Sequence, residues 1–148
     1  MDIYTIGYEG IDQETFIACL KDFKIDVVAD VRERPISRKK GFSKNGLRES
    51  LLENDIEYLG CPSLGVPKEI RDKLKASGNY SSFFKKYRES LNSNGQQLNE
   101  LLEIIKAGKR IALLCFERDP NKCHRMVLAE QIRELSDNGF KINHLTPF

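Results

Sequence analysis

The sequence predicts one three-layer α/β domain over residues 1–148, with a mostly parallel sheet flanked by helices. Two observations predict this class. Short segments rich in β-branched residues alternate with longer segments whose apolar residues recur at helical spacing. This alternation runs along the whole chain without a repeat, a low-complexity segment or a linker. A chain of this pattern is expected to fold as helices packed on both faces of one sheet.

Five short apolar segments are predicted to form the sheet. The segment IDVVADVR has a near-continuous apolar centre, which is typical of a strand buried on both faces. The segment RIALLCFE is the most strand-like part of the chain. The predicted strands span residues 3–7, 25–32, 56–60, 110–117 and 141–145.

The segments between the strands carry signals of helix initiation. Asp12 is a predicted N-cap, with Ile11 and Phe16 placed as a hydrophobic staple. Ser43 is predicted to cap a short helix, and Pro67 suits the first position of another. Three more helices are expected: around residues 83–91, around residues 98–105 and from about Cys123 to Asn138.

Composition indicates a soluble globular protein, since 40% of the residues are hydrophobic and 31% are charged. No apolar stretch approaches the ~20 residues of a membrane-spanning helix, and no signal-peptide pattern opens the chain. Four scattered cysteines do not suit a secreted disulfide scaffold, so a cytoplasmic location with reduced thiols is expected. The net charge of +2 does not itself indicate a nucleic-acid partner. The sequence defines neither a cofactor nor an oligomeric state.

The loops richest in polar and reactive residues are expected to meet at one edge of the sheet. In open parallel sheets, ligands bind where loops leave the carboxyl ends of the strands. Four loops have that position in the predicted order: GYEG, RERPISRKK, GCPSLG and ERDPNKCHR. Their convergence is the main sequence evidence for a functional site.

The second of these loops is strongly basic. Arg32 and Arg38 are candidate anion-binding residues, because guanidinium forks bind phosphate or carboxylate bidentately. A solvated basic loop is the alternative. Asp30 is a candidate substrate-binding residue near the end of a strand expected to be buried, where an ionised carboxylate needs a partner, and Arg32 lies on the same strand face. Their pairing has two interpretations, a brace for the loop or a part of a catalytic site. Phe42 follows the loop and is an aromatic residue suited to stacking on a base.

The Cys-His-Arg triplet is predicted to open the last helix. The helix N-terminus and Arg125 would favour a thiolate at Cys123, which makes it the best nucleophile candidate. His124 is a candidate general base or capping donor, and Glu117 a candidate general acid or base. Anion binding by Arg125 and a purely structural role remain alternatives. Tyr8, after the first strand, is a candidate for stacking on a ligand or donating a hydrogen bond.

A zinc site is the remaining chemical interpretation of this region. Cys115, Cys123, His124 and His144 carry suitable ligand atoms, but their spacing matches no finger-like pattern. Cys115 lies in an apolar run and suits a core position. We therefore predict no metal site from the sequence.

Four segments together resemble the family catalogued as domain of unknown function 488: YTIGYEG, DVRERPISRKKGFSK, YLGCPSLG and LLCFERDPNKCHR. The likeness extends from about Ile3 to Leu145. It implies a small cytosolic bacterial or archaeal α/β domain without an established activity, and only a loose tie to DNA metabolism. The positions it carries over as motif residues are Tyr8, Asp30, Arg32, Pro35, Ser37, Arg38, Glu117, Cys123, His124 and Arg125.

Three functional hypotheses follow. The leading one is an anion-binding cleft acting on a nucleotide, a nucleic acid or another phosphate-bearing substrate, with Arg32, Arg38 and Arg125 holding the anion. The second is a non-catalytic nucleic-acid-binding module that uses the basic loop. The third is a thiol or redox enzyme centred on Cys123.

Overall fold

The computed structural model describes residues 1–137 and 139–147, and their sheet confirms the predicted α/β class. Five strands, all parallel to their neighbours, lie in the order β3-β2-β4-β1-β5. The strands are β1 (Asp2–Gly7), β2 (Val27–Asp30), β3 (Glu57–Gly60), β4 (Ile111–Cys115) and β5 (Lys141–Leu145).

Six α-helices occur in the described residues and correspond to the predicted helical segments. They are α1 (Gln13–Asp22), α2 (Lys44–Glu53), α3 (Lys68–Ser77), α4 (Tyr80–Leu91), α5 (Gly95–Lys106) and α6 (His124–Leu135). Asp12 caps α1 as predicted, because its carboxylate accepts a hydrogen bond of 2.8 Å from the backbone N–H of Thr15. No described helix has the length and apolar character that crossing a membrane requires.

Two hydrophobic cores lie on opposite faces of the sheet, as expected for three layers. Successive residues of a strand point to opposite faces, and β4 shows this directly: Ile111 and Leu113 belong to one core, Ala112 and Leu114 to the other. Helices α4, α5 and α6 pack on the first core, whereas α1 and α2 pack on the second.

Several element boundaries differ from the prediction. The segments 25–32 and 110–117 were expected to be eight-residue strands, but β2 and β4 are shorter at both ends. In each segment the apolar run continues past the last residue that pairs with a neighbouring strand. The length of the run therefore overestimates the length of the strand. Pro67 is the N-cap of α3 rather than its first residue. Helix α6 ends at Leu135, and the predicted end at Asn138 lies outside the described residues.

The register brings the carboxyl ends of the central strands to one level. Gly7 of β1 is paired with Cys115 of β4, while Asp30 of β2 is paired with Gly60 of β3 and with Leu114 of β4. The loops after these strands therefore start side by side, as the sequence predicts. Gly7 permits a close approach at this edge, because a Cβ atom there would overlap the carbonyl oxygen of Glu117.

Candidate functional site

A cleft of about 730 Å³ lies at this edge of the sheet. Its volume falls within the ~300–1,000 Å³ of small-molecule sites. The cleft brings together side chains from the first, second and fourth predicted loops. Six of the predicted site residues line it: Tyr8, Arg32, Ser37, Arg38, Glu117 and His124.

Asp30 and Arg32 form the buried ion pair that the sequence predicts. Two nitrogens of Arg32 donate to the two oxygens of the Asp30 carboxylate, at 2.8 and 2.7 Å. Arg32 also donates to the carbonyl oxygen of Phe42 and to the Tyr8 hydroxyl, and the Tyr58 hydroxyl donates to Asp30. Burial lowers the pKa of Arg32, but the hydrogen bonds and charge of Asp30 outweigh it and raise that pKa overall. Arg32 is thus a fixed cation in the cleft wall.

Tyr8 lines the cleft beside this pair, and Phe42 packs against it in the second core. Their rings are stacked with centroids 4.5 Å apart, and the Tyr8 ring also meets Phe116 edge to face. The expectation that Phe42 stacks on a base is wrong, because Phe42 is fully buried and packs against Tyr8 and Phe16. Its apolar ring fills the second core, and its backbone carbonyl anchors Arg32.

The basic loop is held by its own polar groups. The backbone N–H and carbonyl of Ser37 bond with the Ser43 hydroxyl, and the Ser37 hydroxyl accepts from the N–H of Lys39. Ser43 stands at the N-cap position of α2 as predicted, but its side chain makes no bond to that helix. The Lys39 ammonium donates to the carbonyl oxygens of Tyr8 and Ile11, which ties the loop to the end of β1.

Four cations at the cleft have exposed side chains: Arg34, Arg38, Lys75 and Lys122. Within the described part of the chain, their side chains make no hydrogen bond or ion pair. They are therefore available to an anionic ligand, in contrast to Arg32.

Helix α3 supplies two cations that the sequence analysis did not identify. Arg71 and Lys75 are four residues apart, which places them on one helical face, and both line the cleft. Arg71 donates to the Glu33 carboxylate at 2.8 Å. Its buried Nε–H has no acceptor among residues 1–137 and 139–147. The i, i+4 spacing was visible in the sequence, but which face of α3 meets the cleft was not.

The cleft also has an apolar wall that faces solvent. Ile36 is 69% exposed, Phe116 is 44% exposed and Tyr80 is 36% exposed, and all three line the cleft. Large exposed apolar side chains grouped around one concavity are typical of a binding site. The cleft therefore offers an apolar surface next to its cations.

Arg125 is completely buried behind the cleft, at the start of α6. Its guanidinium donates to the Thr5 hydroxyl, the Cys115 sulfur and the carbonyl oxygens of Glu117 and Arg118. Burial lowers its pKa to about 10, against the opposing effect of nearby carboxylates. It is still charged at neutral pH, and it fixes the loop after β4.

Glu117 lines the cleft from the loop that follows β4. Burial raises the pKa of Glu117 and outweighs the opposing effects of its own backbone N–H and of the Arg125 guanidinium. Among the described cations, none lies within ion-pairing distance of its carboxylate. A half-buried carboxyl group in this position has the features of a proton-transfer group.

Cys115 and Cys123 are joined by a disulfide beside the cleft. The expectation of four reduced thiols is therefore wrong for this pair, because the fold places the last residue of β4 next to the N-cap of α6. Cys19 and Cys61 are free thiols, both buried. Burial raises the pKa of Cys61 to about 12, with the charges of Asp30 and Glu100 adding to the effect.

The His124 imidazole lies between this cysteine pair and β2. Its Nε2 is 2.8 Å from the carbonyl oxygen of Val31, which only accepts, so Nε2 carries the proton. Its Nδ1 is 3.6 Å from the sulfur of Cys123. Burial lowers the pKa of His124 to about 4. His144 is elsewhere, on β5, where its Nδ1 bonds with the Thr5 hydroxyl.

The fold and this cleft define a class: an all-parallel, five-stranded α/β domain with a cationic cleft at the carboxyl edge of its sheet. The chain belongs to the family described as Domain of unknown function DUF488, whose model matches residues 12–132. The resemblance seen in the sequence is thereby confirmed, over a somewhat shorter span. Searches of curated proteins and of solved structures gave no significant match.

Proposed function

We propose that the cleft binds a phosphate-bearing ligand of nucleotide size, with its phosphate among the exposed cations and its base against the apolar wall. The observation that supports this proposal is that one cleft has both a cationic surface and an apolar surface. Exposed guanidinium and ammonium groups without described partners lie beside exposed apolar side chains. A ligand with a negatively charged end and a flat apolar end would contact both surfaces.

The charge of the cleft supports an anion in particular. Seven lysine and arginine side chains line it, against two glutamates, although the whole chain has a net charge of only +2. The orphaned Nε–H of Arg71 adds a buried donor that needs an acceptor. Phosphate oxygens are strong acceptors for such guanidinium groups.

The proposal changes the roles expected for two arginines. Arg32 and Arg125 were expected to hold the anion directly, together with Arg38. Most of the N–H donors of Arg32 and of Arg125 already serve Asp30, backbone carbonyls and other protein groups. In the proposal they shape and charge the cleft, while Arg38 and the other exposed cations contact the ligand.

Proton transfer is assigned to Glu117. Its carboxyl group lines the cleft, whereas His124 uses one ring nitrogen on the Val31 carbonyl and faces Cys123 with the other. Cys123 is part of the disulfide, so it is not a nucleophile in this state. A reaction on the ligand would therefore use Glu117 as general acid or base.

Calorimetric titration with a matched set of probes tests the binding proposal. The set comprises a nucleoside monophosphate, the nucleoside without phosphate and inorganic phosphate. We expect the nucleoside monophosphate to bind more tightly than either part, and Arg38→Ala to weaken it about 10-fold through loss of a charge-assisted contact. Lys40→Ala is the matched control, since Lys40 is an exposed cation of the same loop outside the cleft lining.

Two results would overturn the proposal. One is equal binding of the nucleoside and its monophosphate, and the other is an equal effect of Arg38→Ala and Lys40→Ala. Incubation of the bound nucleotide then separates an enzyme from a binding module. An enzyme turns the probe over and loses that activity, but not affinity, in Glu117→Gln. A binding module leaves the probe intact, and its affinity for single-stranded oligonucleotides falls steeply with salt.

A further inference from the structure

We propose that, once the disulfide is reduced, Cys115, Cys123 and Nδ1 of His124 bind one Zn²⁺ at the border of the cleft. The potential ligand atoms of these three buried residues all lie within 4.8 Å of one another. No metal site is predicted from the sequence, because the spacing of these residues along the chain matches no finger-like pattern. The fold produces the cluster instead, by placing the end of β4 against the start of α6.

The distances suit a tetrahedral zinc ion. With Zn–S of about 2.3 Å and Zn–N of about 2.0 Å, a tetrahedral edge between sulfur and nitrogen is about 3.5 Å. The distance from the Cys123 sulfur to His124 Nδ1 is 3.6 Å. Two thiolates on the same ion would be about 3.8 Å apart, and the Cα atoms of the two cysteines, at 7.5 Å, leave room for that separation.

The residues around the cluster make hydrogen bonds to its ligand side chains, as the residues around the ligands of zinc sites do. A zinc-bound histidine almost always donates its second N–H to a carbonyl, a carboxylate or water. His124 makes this contact with the Val31 carbonyl, which leaves the Nδ1 lone pair for the metal. The Arg125 guanidinium lies 3.1 Å from the Cys115 sulfur, where it supports a thiolate by hydrogen bond and charge.

The ligand count indicates the kind of zinc site. Structural zinc sites use four protein ligands, whereas catalytic sites use three and keep the fourth position for water or substrate. The described residues provide three ligands here, and Cys115 and His124 both line the cleft. The ion would thus meet a ligand of the cleft through its fourth position.

Redox state decides whether the site exists. A thiol or phosphine reductant supplies two electrons, is itself oxidised, and two protons complete the conversion of the disulfide into two thiols. Zn²⁺ then displaces both thiol protons to the buffer and forms two Zn–S bonds. The oxidised protein has no thiolate at this position and is expected to bind no zinc there.

Cobalt substitution tests the site without any nucleotide, so the result is independent of the proposed function. The full chain is reduced with a phosphine under argon and titrated with Co²⁺, and then with Zn²⁺. We expect one equivalent of Co²⁺ to give a sulfur-to-cobalt charge-transfer band and tetrahedral visible bands, which Zn²⁺ abolishes. Oxidised protein should give neither.

Cys123→Ser is the decisive variant, because serine is a good helix N-cap and should preserve the start of α6. We expect it, and likewise His124→Asn, to lose the cobalt bands or weaken zinc binding by about 100-fold or more. Cys61→Ser and His144→Asn are the matched controls, since each removes a cysteine or histidine outside the cluster. Both should bind as the wild type does.

Two outcomes would overturn the proposal. If reduced wild-type protein gives no cobalt bands, the cysteine pair serves as a disulfide only. If Cys123→Ser binds the metal as tightly as Cys61→Ser does, the ligands are elsewhere. Circular dichroism of each variant shows that it is folded, so that loss of binding is not confused with loss of structure.

Discussion

Two buried arginines at the same edge of the sheet are held in different ways. Arg32 is paired bidentately with the Asp30 carboxylate, so its charge is neutralised locally. Arg125 donates to a hydroxyl, a sulfur and two carbonyls, and no described carboxylate lies within ion-pairing distance of it. The β2 end of the cleft thus has a closed ion pair, while the cation at the β4 end has the Glu117 and Asp119 carboxylates nearby but no described carboxylate in contact with it.

This difference assigns different chemistry to the two ends. The Asp30–Arg32 pair holds the wall of the cleft in place. Because its two charges cancel, it attracts an anionic ligand only weakly. A buried cation outside an ion pair stabilises negative charge next to it, since the interior screens charge less than water does. The Cys115 sulfur, 3.1 Å from the guanidinium, can carry such a charge when the disulfide is reduced. The β4 end is therefore the better place for thiolate or metal chemistry.

The largest effect is expected from breaking the balanced pair. Asp30→Asn leaves the Arg32 charge buried without its partner, which should lower the free energy of unfolding by about 3–5 kcal/mol. Urea denaturation of wild type and variant measures it. A loss below about 1 kcal/mol would show that the pair is no more important than an exposed one.

Thiol reactivity should differ between the two ends as well. The pKa of Cys61, near Asp30, is raised to about 12, so at pH 9 only about one in a thousand of these thiols is ionised. Cys115 has a guanidinium beside its sulfur and lines the cleft. Iodoacetamide added to reduced, folded, metal-free protein at pH 9 should label Cys115 well before Cys61, as mass spectrometry of peptides can show. Earlier labelling of Cys61 would contradict the comparison.

Removing Arg125 should lower the free energy of unfolding by less than breaking the Asp30–Arg32 pair does. Arg125→Met leaves neutral acceptors unsatisfied but breaks no direct ion pair, so we expect a loss of about 1–3 kcal/mol in the free energy of unfolding. Urea denaturation of Arg125→Met and Asp30→Asn in parallel shows which variant loses more unfolding free energy. A greater loss in Arg125→Met than in Asp30→Asn would mean that the contacts of Arg125 stabilise the fold more than the direct ion pair of Arg32 does.

The smallest effect is expected at an exposed ion pair far from the cleft. Glu57 and Lys109 are 3.6 Å apart, and both side chains are more than half exposed. Glu57→Gln should therefore change the free energy of unfolding by less than about 1 kcal/mol. It serves as the baseline, and a larger change would show that the urea experiment does not resolve buried from exposed pairs.

The sequence predicted the parts of the site that depend on local periodicity. Asp30 and Arg32 are two residues apart in the segment predicted as one strand, so their pairing was predicted from the strand repeat, although β2 itself ends at Asp30. The convergence of the loops followed from parallel strands alone. Neither needed any knowledge of how helices pack.

The parts that were missed depend on packing between distant elements. Nothing local shows which face of α3 meets the cleft, so Arg71 and Lys75 were not identified. Phe42 was expected beside a ligand because the basic loop precedes it. In the structure its ring instead stacks on Tyr8 inside the core. The disulfide required the end of β4 and the start of α6 to meet at atomic distance, which sequence spacing does not determine.

A crystal structure with a bound nucleoside monophosphate would test the proposed binding mode. We expect the phosphate to lie within hydrogen-bond distance of Arg38 and Arg71, and the base to lie against Tyr80 or Phe116. We also expect the Asp30–Arg32 pair to remain closed with the ligand in place. A nucleotide bound elsewhere on the molecule, or a phosphate that takes Arg32 from Asp30, would contradict the proposed binding mode.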